Sequence, residues 1–258
     1  MCTDAQIGGF ISSIMPVSII IPALNEAETL PATLASLARL DPAPAEIVLV
    51  DGGSTDATAA LAREAGARVV AVAPPGRARQ MNAGAGAARG DVFCFLHADT
   101  VLPADFCALA ERVLSERKTA LAGFYSIMRG PIKTRWATSF HNYIKTWYAP
   151  LLFRPLSFFR GCRLLFGDQV MICRRADFDA IGGFDNEILV MEEADLCLRM
   201  VRAGRGKVRM INRHVWSSDR RVAKWGPLRA NLTYLYVGIV WGLGGGQRHL
   251  RQIYKDVR

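Results

Sequence analysis

Val92-Phe93-Cys94-Phe95-Leu96-His97-Ala98-Asp99-Thr100 is an apolar run of strand length that stops abruptly at a histidine and a carboxylate one residue apart. A strand that loses its apolar character within one step has reached the edge of a sheet, where side chains meet solvent or ligand. In an open α/β sheet, ligands bind outside the carboxyl ends of the strands. One intervening residue on an extended backbone puts His97 and Asp99 on the same side, so both can face one ligand or one metal ion. Asp99 is therefore the leading candidate for a metal or diphosphate ligand.

Working outward, residues 17–21, 46–50 and 68–72 are further short β-rich runs, and the Ala- and Leu-rich stretches 28–40 and 57–65 between them read as helices. This alternation predicts a parallel sheet with right-handed crossovers. Gly66 is placed to close the second helix, and Thr55 or Asp56 to cap its start. After residue 100 the rhythm changes: residues 103–116 read as helix and 121–128 as strand. Residues 129–166 mix Arg and Lys with many aromatics. That segment is either a solvated basic surface or a substrate- or membrane-facing insertion.

With 258 residues, 51% of them hydrophobic, the chain can bury a core as one large domain or two small ones. A net charge of +9 calls for an anionic partner such as nucleic acid, a phosphorylated substrate or an acidic membrane. Six cysteines (2, 94, 107, 162, 173, 197) form no C-x-x-C pair, which fits reduced thiols of a cytoplasmic protein better than a disulfide frame or zinc site. Residues 7–24 carry no charge, yet Gly8, Gly9, Pro16 and Pro22 argue against a membrane span. Residues 1–14 read as a flexible extension ahead of a domain covering 15–224, and 225–258 as a helical, basic, amphipathic segment.

Two strand-to-helix turns carry polar groups at one sheet edge: Pro22-Ala23-Leu24-Asn25-Glu26-Ala27 and Asp51-Gly52-Gly53-Ser54-Thr55-Asp56. Together they form a polar rim of nucleotide size. A dinucleotide-binding fold would need G-x-G-x-x-G after the first strand, and it is absent there. Asp51 is placed either to bond a base or ribose or to cap the helix that follows. In Gly76-Arg77-Ala78-Arg79-Gln80-Met81-Asn82, guanidinium groups suit phosphate, and Gln80 and Asn82 can read a base edge.

These motifs, in this order and followed by Gly182-Gly183-Phe184-Asp185 and Met191-Glu192-Glu193-Ala194-Asp195-Leu196-Cys197-Leu198-Arg199, resemble the family 2 glycosyltransferases with the GT-A fold. The resemblance runs from about residue 17 to 221 and is closest to a small bacterial subgroup sharing Arg-Gln-Met-Asn and Gly167-Asp168-Gln169. It implies an α/β fold with a central mixed, mostly parallel sheet flanked by helices. It also implies inverting transfer of a sugar from a UDP- or GDP-sugar to a hydroxyl acceptor, with a divalent cation, Mn2+ or Mg2+. On that resemblance Pro22, Ala23, Asn25, Glu26, Asp51, Arg77, Gln80 and Asn82 would line the nucleotide, and Asp99 would be the last carboxylate of a D-x-D metal motif. His97 stands where that motif has its first aspartate; it is either a metal ligand, imidazole suiting Mn2+ better than Mg2+, or a rim side chain that hydrogen-bonds ribose. His214 would complete the metal site.

Glu193 stands at the general-base position, with Glu192 and Asp195 as alternatives. On a helix Asp195 and Arg199 also form an i, i+4 ion pair. A base beside a cationic diphosphate site is expected to stay ionised. Asp168, Gln169 and Arg199 would lie near the acceptor or diphosphate, and Arg220 and Arg221 would close on the leaving group. The apolar stretch 232–241 is too short to span a bilayer but suits packing, or an interfacial foot on acidic lipid. Two rivals are weaker: a nucleotidyltransferase lacks its Gly-rich triphosphate loop here, and a nucleic-acid-binding module conflicts with the acidic strand ends.

Overall fold

The computed structural model of the protein describes residues 15–254; the expected extension 1–14 lies outside them. The chain begins with the anticipated βα rhythm: β1 (Val17–Ala23), α1 (Leu30–Leu37), β2 (Glu46–Asp51), α2 (Thr58–Glu64), β3 (Arg68–Ala71), α3 (Arg77–Ala87) and β4 (Val92–Phe95). β1 pairs in parallel with β2 and β4, and β2 with β3, so the carboxyl ends of all four strands open on one edge. Gly66 lies at φ +79 just past α2, its N–H donating to Arg63, as a glycine helix stop requires. Asp56 Oδ1 accepts from the Thr58 N–H at 3.0 Å at the other end of that helix.

The second half comprises β5 (Thr100–Val101), α4 (Phe106–Leu114), β6 (Thr119–Arg129), α5 (Trp136–Phe153), α6 (Pro155–Phe159), β7 (Met171–Arg174), α7 (Arg175–Ala180), α8 (Glu192–Arg202) and β8 (Lys207–Ser218). Three C-terminal helices follow: α9 (Arg220–Trp225), α10 (Pro227–Gly242) and α11 (Gln247–Tyr254). The eight-stranded sheet has the order β3-β2-β1-β4-β7-β6-β8-β5, with β7 antiparallel to both β4 and β6 and β5 antiparallel to β8. The sheet is mixed, and helices cover both faces.

Period-two alternation sorts the strand residues into two cores. Ile20, Val48, Val50, Phe93 and Phe95 face one layer, and Ile19, Ile21, Leu49 and Cys94 the other. In the first layer Phe93, Phe95, Phe178 and Phe184 pack edge-to-face or tilted at 4.9–6.1 Å, which supports the loop carrying Gly182 and Gly183. Helix α3 lies close to β1 because Gly84 has no side chain: a Cβ there would be 2.3 Å from Ile20 Cγ2 and 2.9 Å from Val50 Cγ2. Gly84→Val is therefore expected to overpack this contact by about 3 kcal/mol and to lower the melting temperature by about 5–10 °C. A thermal melt showing an unchanged midpoint would contradict that packing.

Candidate active site

The two loops of the polar rim are bonded to each other. Asn25 N–H donates to Ser54 Oγ (2.9 Å), Asn25 Oδ1 accepts from Thr55 N–H (2.9 Å), and Glu26 N–H donates to Thr58 Oγ1 (2.8 Å). Asn25 does this from φ +54, a left-handed conformation that asparagine tolerates better than most residues. Asp51 accepts from Ser54 Oγ at 2.5 Å and from its N–H at 3.1 Å, so it holds the turn after β2 and does not cap α2, which starts further on at Thr58.

Gln80 and Asn82, expected to read a base, point elsewhere because both lie on α3 and not in a loop. The buried Gln80 amide donates to Ala23 O and Val50 O, each at 2.8 Å, and so ties the ends of β1 and β2 together beneath Pro22 and Ala23. Asn82 brackets Phe184, donating to its carbonyl and accepting from its N–H. Gln169 is likewise buried, accepting from Phe166 N–H and donating to Thr146 Oγ1. Arg199 pairs with Asp195 at 2.7 Å and with the Ile181 carbonyl, which commits Asp195 to that ion pair.

The expected geometry at the end of β4 is also corrected. The strand stops at Phe95, and Thr100 N–H donates to His97 O, so the backbone turns at Ala98 and Asp99 instead of continuing extended. His97 and Asp99 consequently meet different partners. His97 Nε2 lies 3.7 Å from Glu193 Oε1, whereas Asp99 Oδ2 lies 3.7 Å from Arg220 Nε. Arg220 also forms a two-pronged pair with Glu26, at 2.6 and 2.7 Å.

His214 does not join them. It is exposed on β8, edge-on to Trp216 at 5.2 Å, while Ser217 and Ser218 of the same strand come beside Thr100 and Asp99. Among the described residues no three His, Cys, Asp or Glu side chains gather in a way that could cage a cation. Of the three expected ligands, His97 faces Glu193, His214 is exposed on β8, and Asp99 lies beside Arg220, so a cation here would find one protein carboxylate, Asp99, and would take its other ligands from substrate and water.

The polar centre of the site lies where α8 begins. Glu192 and Glu193 are buried in its first turn, and Arg77 Nη1 reaches both, at 3.4 and 3.7 Å. Asp168 accepts from Asn142 Nδ2 at 2.6 Å, and its charge acts on His97, Glu193 and Lys145, as does that of Arg221. Burial and the Arg77 guanidinium hold His97 below the ordinary imidazole range, so it is neutral. Burial raises the Glu193 carboxyl above its usual range; Arg77 opposes this without cancelling it, because desolvation is the larger effect. His97 Nε2 and Glu193 Oε1 are buried, face each other and make no hydrogen bond among the described residues. Buried polar atoms in that condition call for a partner, such as a ligand, an ion or a water.

Two members of this cluster, Asn142 and Lys145, were not anticipated. For Asn142 the signal was present in α5 as small and polar residues at helical spacing, Ser139, Asn142, Thr146 and Ala149, which the aromatic residues between them obscured.

The model for glycosyl transferase family 2 matches residues 18–181. An uncharacterised glycosyltransferase of Mycobacterium tuberculosis is 40% identical over 83 residues, 32% of this chain and 36% of that relative, so the chain matches about a third of its length. A PGL/p-HBAD biosynthesis glycosyltransferase of Mycobacterium bovis is 32% identical over 189 residues, 70% of this chain and 68% of the relative. Among solved structures, a mannosyltransferase from Pyrobaculum calidifontis in complex with GDP-Man and Mn2+ aligns with a TM-score of 0.66 at 17% identity, covering 91% of this chain and 66% of that one. Glucosyl-3-phosphoglycerate synthase from Mycobacterium tuberculosis, in complex with Mg2+ and UDP, aligns with a TM-score of 0.61 at 17% identity, covering 90% and 80%. The fold is GT-A, and with the family model matching well over half of its length the chain belongs to glycosyl transferase family 2.

Proposed function

We propose that the protein transfers a sugar, with inversion, from a nucleoside diphosphate sugar to a hydroxyl of an acceptor. The observation that carries this reading is the buried, unbonded pair of Glu193 Oε1 and His97 Nε2, set between the rim at the ends of β1 and β2 and the α5 side of the site. The nucleoside lies on the rim made by Pro22, Ala23, Asn25, Glu26 and Asp51. The acceptor oxygen attacks C1 as Glu193 takes its proton, and the bond from C1 to the diphosphate oxygen breaks, releasing the nucleoside diphosphate.

Arg220 and Arg221 face the leaving diphosphate, and Arg77 keeps the carboxylates of Glu192 and Glu193 in place. A divalent cation at Asp99, when bound, supplies further charge neutralisation there. The ligands of the solved relatives, UDP with Mg2+ and GDP-Man with Mn2+, support a donor of this class. No described helix is long and apolar enough to cross a membrane. Residues 129–167 and 220–254 contain 13 Lys and Arg and no Asp or Glu, which supports peripheral contact with an acidic membrane.

A panel of UDP- and GDP-sugars tested with Mn2+ and Mg2+ checks the reading. The expected result is slow release of nucleoside diphosphate from one donor; no such release, together with pyrophosphate formed from a nucleoside triphosphate and a sugar 1-phosphate, would support a nucleotidyltransferase instead. Asp99→Ala is expected to remove the response to divalent ion and to raise the donor KM about tenfold or more. Metal-independent activity that survives the substitution would exclude the cation from Asp99.

A further inference from the structure

An apolar cavity of about 250 Å3 lies against the polar centre, walled by α5, α10 and the segments that carry Asp168 and Glu193. Its inner wall includes Phe166, two residues before Asp168, and Met191, directly before Glu192. Met191 is held at φ +70, a strained conformation for a side-chain-bearing residue that survives only where its surroundings impose it. Lys145 is the one charged residue on the wall. Its ammonium lies 3.6 Å from the centre of the Phe166 ring, and the charges of Asp168 and Glu193 act on it. Lys145 therefore belongs both to the cavity wall and to the electrostatic surroundings of the proposed base.

The outer mouth opens on apolar surface. Helix α5 is inside out, burying Thr138, Ser139, Asn142 and Thr146 while Trp136, Phe140 and Leu152 are 63–67% exposed. Leu152 and Ile239 stand at the mouth, and Leu151, Leu156, Leu232 and Leu243 continue the exposed apolar face on α5, on α6 and along α10. A void of this size in a packed interior is costly, and one lined by apolar groups stays dry and takes apolar guests.

We infer that this cavity holds the tail of the acceptor, an amphiphile whose hydroxyl lies at Glu193 while its apolar chain runs between α5 and α10. The inference rests on the transfer reading for the role of Glu193; the site itself does not. The nucleotide rim is polar and lies at the ends of β1 and β2, so the donor does not compete for this space.

Calorimetric binding of n-alkyl β-glucosides from butyl to nonyl, below their micelle concentrations, to the full chain without donor tests it. Affinity is expected to rise roughly fourfold per methylene until the cavity is full. Gly238 lines the cavity from α10, and a Cβ there would meet nothing within 4 Å, so a side chain can be started there and Gly238→Phe puts a ring at the cavity wall. That variant is expected to bind nonyl glucoside at least tenfold more weakly and to lose the dependence on chain length. Affinity independent of chain length in the wild type overturns the proposal, as does an unchanged series in a folded Gly238→Phe. A chain that binds the alkyl series but cleaves no nucleotide sugar keeps the site and removes the transfer reading.

Discussion

Glu193→Gln is expected to reduce transfer by about 10^2–10^4-fold while leaving donor affinity nearly unchanged, because the amide keeps the shape of the carboxylate and loses only its capacity to accept a proton. Of the three acidic residues in the first turn of α8, Glu193 alone brings an oxygen without a hydrogen bond into the gap facing His97. Glu192 lies nearer Arg77, at 3.4 Å, and Asp195 is paired with Arg199 at 2.7 Å. Glu192→Gln should therefore cost much less. Burial raises the Glu193 carboxyl, and a base must be ionised, so activity should rise as pH increases through that raised value and the acid limb should vanish in the Gln variant. Titration calorimetry with donor, steady-state rates and a pH profile decide the matter. A Glu192→Gln protein that is dead beside an active Glu193→Gln would move the base by one residue.

The sheet was legible in the sequence because its strands are short β-rich runs that stop at Ala23, Asp51 and Phe95, and each stop carries polar residues. What was not legible was direction. The spacing of His97 and Asp99 puts two side chains on one face only if the backbone stays extended, and the turn closed by Thr100 separates them. Gln80 and Asn82 have the right functional groups for a base edge, yet an amide on a helix packed under two strand ends is used to bond Ala23, Val50 and Phe184. Helix α5 has two stripes, one aromatic and one of small polar residues, and periodicity cannot say which is buried. The acidic cluster beneath it resolves the ambiguity: Asn142 bonds Asp168, and the charges of Asp168 and Glu193 act on Lys145. The positive excess lies in residues 129–167 and 220–254, which hold 13 Lys and Arg and no Asp or Glu, a segregation that the net charge of +9 does not reveal.

Gly167→Ala is expected to keep the fold and lower transfer by about 10^2-fold, the cost of a displacement on the order of 1 Å in a reacting group. A Cβ at residue 167 would stand 2.2 Å from His97 Cε1 and Nε2 and 2.6 Å from Glu193 Oε1, well inside normal contact. Both obstacles are ends of side chains, so the backbone need not move, and the melting temperature should change little. The pair that faces across 3.7 Å must instead separate, carrying the Glu193 oxygen away from the acceptor position. Removing one obstacle tests this directly: His97→Ala in the Gly167→Ala background vacates the ring's space, and part of the lost rate should return, a coupling that two independent defects would not show. Full activity in Gly167→Ala alone would mean that transfer does not depend on where His97 and Glu193 are held.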